Sequence, residues 1–138
     1  MPNRKQKTIA ALVNDAAVLM QRMVRVKAAL TEGEFITCVT CGVKRHWKEM
    51  QGGHFISRRF TKYKLLEENI HPQCPACNGP LRGNYPAYTL YMCDMYGREF
   101  VDELLATKGE TKKYNRAEII DLIDELRVEL KRLEGALV

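Results

Sequence analysis

The sequence predicts an α+β protein, a small zinc-bound module of short strands flanked by long N- and C-terminal helices. Three observations predict it. The chain carries two Cys-x-x-Cys pairs, Cys38–Cys41 and Cys74–Cys77. A heptad-like apolar repeat precedes them and another closes the chain. Between the pairs the apolar runs are short and broken by Gly and Pro, as in small hairpins. With 138 residues, 46% of them hydrophobic, there is material for one core with helical additions.

Residues 1 to 7, Met-Pro-Asn-Arg-Lys-Gln-Lys, read as a loose basic arm. From about Thr8 to Leu30, Ile9, Leu12, Ala16, Leu19, Met23, Val26 and Leu30 recur at steps of three and four, a seam along one long helix. Gly33 can end it. Arm and helix make a first unit, 1–33. The second, 34–85, holds the cysteine pairs, and in it Gly52-Gly53 forms a turn leading into a strand at Phe55 and Ile56. The third, 86–138, is helical. Pro86 opens a helix, Gly97 breaks it, and a second piece runs from Arg98 to about Thr107. A polar linker follows to Tyr114. Asn115 caps the last helix, with Glu118 three residues on as its capping-box partner. Ile119, Ile123, Leu126, Leu130 and Leu133 carry the second seam. Each seam needs a partner, either the other seam or a second copy of the chain, and a homodimer through these helices is expected.

The net charge is +5. Between Lys44 and Arg82, Lys44, Arg45, Lys48, Arg58, Arg59, Lys62, Lys64 and Arg82 face only Glu49, Glu67 and Glu68. Such a basic region suits a phosphate-rich partner, though a solvated face is the plain alternative. Arg22, Arg25 and Lys27 interrupt the first apolar segment, so no membrane span or secretory signal is expected. Paired cysteines then fit metal binding in a reducing, intracellular compartment. Cys93, left over, reads as a small packed side chain.

Four thiolates close a tetrahedral Zn²⁺ site and leave no position for substrate, so the zinc is structural. Chemistry must come from its surroundings. His54 follows two glycines in the basic region, and a neutral imidazole can take a proton from water near pH 7. Asn78 directly follows the last cysteine, so the metal would hold it in place, and its amide oxygen suits Mg²⁺ or Mn²⁺. Asn69 can bond the backbone of the hairpin loop and orient His54. His71 is open between a second ligand to the catalytic ion, a phosphate contact and a structural role. Arg58, Arg59, Lys62 and Lys64 would grip a nucleic-acid backbone without reading sequence.

This arrangement resembles the ββα-metal (His-Me finger, or HNH) nucleases, with His54, Asn69 and Asn78 at the three places of their motif. It is more closely similar to the lambdoid phage NinG, or Rap, recombination nuclease family over about residues 36 to 105. The matching stretches are Cys38-x-x-Cys41, Gly53-His54-Phe55 with Ser57-Arg58, Asn69 through Asn78, Gly83-Asn84 and Gly97-Arg98-Glu99. The resemblance implies a phosphodiesterase, a metal-dependent endonuclease for Holliday junctions, D-loops and flaps. It would use structural Zn²⁺ and catalytic Mg²⁺ or Mn²⁺, in a bacterial host's cytoplasm and among recombination proteins. One departure stands out. Nucleases of this class often carry Asp or His just before the catalytic His, and this chain has Gly53. Either His71, Glu67 or Glu68 completes the ion's site, or Asn78, phosphate and water hold it. The rival readings are a non-catalytic zinc module that binds nucleic acid and a protein adaptor built on the two seams.

Overall fold

Thr8 opens the longest helix. Its hydroxyl accepts the Ala11 N–H at 3.1 Å and satisfies a donor that the helix itself leaves unpaired. Helix α1 (Ile9–Glu32) ends at Gly33, whose φ of +96° disfavours any side chain. Strands β1 (Phe35–Thr37) and β2 (Lys44–His46) then pair antiparallel, with Ile36 opposite Arg45. Strands β3 (Gln51–His54) and β4 (Ile70–Gln73) form a second antiparallel pair, with Gly53 opposite His71 and His54 opposite Ile70. The one-turn helix α2 (Pro75–Asn78) follows β4 directly, and α3 (Tyr85–Tyr96), α4 (Arg98–Thr107) and α5 (Arg116–Gly135) complete the chain. The computed structural model describes residues 6–137.

Most boundaries fall where local chemistry predicts. Pro86 lies in the first turn of α3, Gly97 separates α3 from α4 at φ +87°, and Asn115 and Glu118 form the reciprocal capping box of α5. Of the basic arm, residues 1 to 5 lie outside the described residues. Lys7 is tied down: its ammonium pairs with Asp15 at 2.7 Å and its carbonyl accepts from Arg116 at 2.7 Å.

One expectation is corrected. Gly52 and Gly53 make no turn; they lie within β3, and Phe55 and Ile56 come after the strand. The glycines are there for closeness. A Cβ on Gly52 would sit 2.7 Å from Cα of Gln21 on α1, and one on Gly53 would sit 1.8 Å from Oε1 of Gln73. The seams find a partner within the chain. Leu12, Ala16, Met23 and Val26 of α1 share one core with Ile119, Ile123, Leu126, Leu130 and Leu133 of α5. The buried face of α1 is also wider than a heptad seam, taking in Val13, Ala17, Met20, Val24 and Ala29, because α1 packs on β1, β3 and β4 as well as on α5.

That main core reaches Ile36, Trp47, Met50 and three of the paired cysteines. A second, smaller core lies under α3 and α4, where Tyr88, Met92, Val101 and Leu104 bury Phe55 and Ile56. The β3–β4 hairpin stands between the two cores, with its ends fixed from both sides. No described helix is long and apolar enough to cross a membrane.

Candidate functional site

The four paired cysteines come together. Cys38 and Cys41 flank a tight turn, closed by Gly42 N–H to the Cys38 carbonyl at 2.9 Å with Gly42 at φ +79°. Cys74 caps α2 and Cys77 lies within it. The four Sγ atoms all lie within 4.8 Å of one another. Donors are already aimed at the sulfurs: Cys77 N–H reaches Cys74 Sγ at 3.5 Å, and the Asn84 amide reaches Cys77 Sγ at 3.5 Å. Burial raises the Cys38 thiol, but the Thr40 hydroxyl and backbone N–H groups outweigh it and bring the thiol down to about 6. A backbone bond from Val43 lowers Cys41, but burial and the three neighbouring sulfurs push it up to about 12. Four thiolates at this spacing would need a cation to offset their charge. The donor set and spacing fit Zn²⁺, which would supply the compensating charge and join two distant pieces of chain.

His54, at the end of β3, is half-buried. Its Nε2 lies 2.9 Å from the Lys64 carbonyl oxygen. A carbonyl only accepts, so Nε2 carries the proton and the neutral ring keeps its lone pair on Nδ1. Burial lowers the pKa of His54 below its usual value; the Lys64 carbonyl opposes this, and the charges of Arg58 and Lys64 add to the lowering.

Asn69 is fully buried and acts on the loop between β3 and β4. Its Oδ1 accepts from Ile56 N at 2.7 Å, and its Nδ2 donates to the carbonyls of Ile56 at 3.0 Å and Tyr63 at 3.1 Å. The loop is thus pinned just before Lys64, whose carbonyl holds the imidazole.

His54 and Asn78 line one cleft of about 540 Å³, together with Arg25, Arg58, Arg82 and Gln51. Asn78 Nδ2 donates to Gln51 Oε1 at 2.7 Å. No carboxylate lines the cleft among the described residues. Arg58 and Arg82 are exposed and enter no ion pair among those residues. Among the described residues Arg25 donates only to backbone carbonyls, of Gln21 at 3.1 Å, Trp47 at 3.4 Å and Met50 at 3.2 Å. Sequence reasoning took Arg25 only as an interruption of an apolar run. Its signal was position, since Gln21 and Arg25 are one helical turn apart on the face of α1 that meets the hairpin.

The other expected contacts are spread along the loop. Arg58, Arg59 and Lys64 line a second depression beside α1. Arg59 lies 4.8 Å over the Phe60 ring, Lys62 pairs with Glu110 at 3.1 Å, and the Lys64 ammonium bonds Asn14. His71 is not in the cleft. It lies in a different cavity with Glu67 and Glu68, and both its ring nitrogens meet tyrosine hydroxyls, Tyr88 at 3.1 Å and Tyr96 at 2.8 Å. Burial lowers its pKa to about 4.

Fold and site together define a small α+β protein with a four-cysteine cluster that could hold a metal ion, beside a cationic cleft. The chain belongs to the bacteriophage lambda NinG family, whose model matches residues 3–135. No curated protein and no solved structure matches it.

Proposed function

We propose that this protein is a metal-dependent endodeoxyribonuclease that cuts branched recombination intermediates such as Holliday junctions, D-loops and flaps. One observation carries the reading. A half-buried imidazole with a fixed tautomer shares a cleft with three arginines and Asn78, and no carboxylate opposes them. Such a cleft suits a phosphodiester better than a neutral or cationic substrate. The order of β3, β4 and α2, with His54 ending β3, Asn69 directly before β4 and Asn78 ending α2, fits a ββα-metal core.

In this reading Nδ1 of His54 takes a proton from water as its oxygen attacks phosphorus. The bond from phosphorus to the 3′ oxygen breaks, and that oxygen takes up a proton from solvent. Arg25, Arg58 and Arg82 hold the non-bridging oxygens, while Arg59, Lys62 and Lys64 follow the backbone. Asn78 and Gln51 offer hard, neutral amide oxygens, which fit an Mg²⁺ or Mn²⁺ held mainly by phosphate and water. A bound ion supplies charge stabilisation at the reacting phosphate.

The carboxylate-free lining also favours a second reading, a zinc module that binds nucleic acid without cutting it. Labelled four-way-junction, flap and linear duplex DNA separates the two. Branched DNA should be cut with Mg²⁺ or Mn²⁺, not with EDTA, and not by His54→Ala, which should still bind. Binding without cutting under every metal condition would overturn the nuclease reading.

A further inference from the structure

The strand that carries His54 is held from its other side by a chain of three buried or half-buried polar side chains. The Tyr88 hydroxyl donates to the Gly53 carbonyl at 2.7 Å. Having given its proton away, the Tyr88 oxygen can only accept from His71, so His71 Nδ1 carries a proton. In the neutral ring Nε2 must then be the acceptor, and the Tyr96 hydroxyl donates to it. The order is Tyr96 O–H to His71 Nε2, His71 Nδ1–H to Tyr88, and Tyr88 O–H to the Gly53 carbonyl.

We propose that Tyr88 is a positioning residue for His54, and that His71 and Tyr96 keep its hydroxyl aimed at the Gly53 carbonyl. The Gly53 carbonyl belongs to the peptide bond that leads into His54. Fixing that peptide plane fixes where the His54 side chain leaves the strand, while Lys64 fixes the ring at its far end. Gly53 itself cannot be gripped by a side chain, because the Gln73 amide fills the space where its Cβ would stand. Its carbonyl is the handle that remains. Burial keeps every member neutral near pH 7: His71 is lowered to about 4, Tyr88 is raised well above its usual value and Tyr96 is pushed up to about 12. None of the three lines the cleft, so their effect on chemistry passes through Gly53.

The catalytic part of this inference rests on the nuclease reading, so the experiment has two readouts on the full zinc-loaded chain. Single-turnover cleavage of a four-way junction and junction affinity are measured for wild type, Tyr88→Phe, Tyr96→Phe, His71→Asn and His71→Gln. The tautomer and ring shifts of His54 are read by ¹⁵N NMR in the same proteins. Tyr88→Phe is expected to lower the cleavage rate about ten- to a hundredfold with affinity unchanged, the size expected when a reacting group is slightly misplaced. Asn places its amide near the Nδ1 position and should retain most of the rate, whereas Gln, whose amide falls near Nε2, should not. Tyr96→Phe, least buried of the set, gives a smaller loss and guards against a Tyr88 variant that does not fold. The His54 signals should shift in the same order. Unchanged His54 signals and rates in Tyr88→Phe and Tyr96→Phe would overturn the proposal. So would equal losses of rate, affinity and zinc, which would mark a merely structural role. If wild type cuts nothing, the nuclease reading fails and the His54 signals alone decide the positioning.

Discussion

His54 and Lys64 form a pair in which the backbone carbonyl of one selects the tautomer of the other, across 2.9 Å. Because burial and the charges of Arg58 and Lys64 together outweigh the carbonyl's opposing pull, the neutral base form persists into mildly acid solution. Cleavage should therefore rise on the acid side through a value below the ordinary histidine pKa and stay level above it. Removing the Arg58 charge, as in Arg58→Ala, should move that acid limb to higher pH. A pH–rate profile of the two proteins checks both statements.

Arg25 meets three backbone carbonyls in a geometry that a guanidinium can serve and an ammonium cannot. Arg25→Lys should thus behave much like Arg25→Ala, each losing about tenfold in cleavage and about 1–3 kcal/mol of phosphate contact. Arg82→Ala should weaken junction binding and flatten its salt dependence. Titrations at several salt concentrations distinguish the two roles.

Gly53 is a steric necessity. Gly53→Ala should destabilise by about 2 kcal/mol or more, since its Cβ would collide with the buried Gln73 amide. Gly53→Asp should fail to create an acidic ion site for the same reason. Shortening the neighbour, as in Gly53→Ala with Gln73→Ser, should recover part of the loss in urea unfolding.

His71 titrates against stability. Its folded pKa of about 4 lies below the unfolded value of 6.5, so the unfolded chain binds the extra proton between them. Its contribution is complete above about pH 6.5 and falls away as pH drops toward 4, by about 3 kcal/mol in all. Acid also releases zinc from thiolates, so the difference between wild type and His71→Asn is the quantity to follow. Thermal unfolding of the variant should lose that part of the pH dependence.

Metal analysis should find one zinc per chain. Cys74→Ser should lose it together with cooperative unfolding, because an ion held by the four cysteines would join the turn at Cys38 to the start of α2. Cys93→Ser should retain it.

The sequence disclosed what local chemistry decides. The breaks at Gly33 and Gly97 and the cap at Asn115 follow from hydrogen bonds within three or four residues, and the Cys-x-x-Cys spacing is itself a ligand geometry. The second seam was legible to the residue, since α5 packs on one side only. The first was read too narrowly, because α1 is covered by α5 and by both hairpins, and no periodicity announces two partners. Gly52-Gly53 was read as a turn for a related reason: the close approach of Gln21 and Gln73 comes from distant parts of the chain. The same blindness hid Arg25 from the cleft and left His71 open between several roles.

The pairing of α1 with α5 also bears on how the molecule is made. Arg116 reaches the Lys7 carbonyl and Glu134 reaches Arg22, so the two helices lie side by side in the same direction although more than a hundred residues separate their partners. During synthesis, α1 emerges with its broad apolar face, and the side that meets α5 stays open until Arg116–Gly135 follow. The largest core is thus closed last, by the most non-local contact in the fold, which slows folding and prolongs exposure of a sticky surface. A ribosome stalled before residue 116 would hold out α1 with its α5-facing side uncovered, and chaperone capture should end when α5 has cleared the exit tunnel.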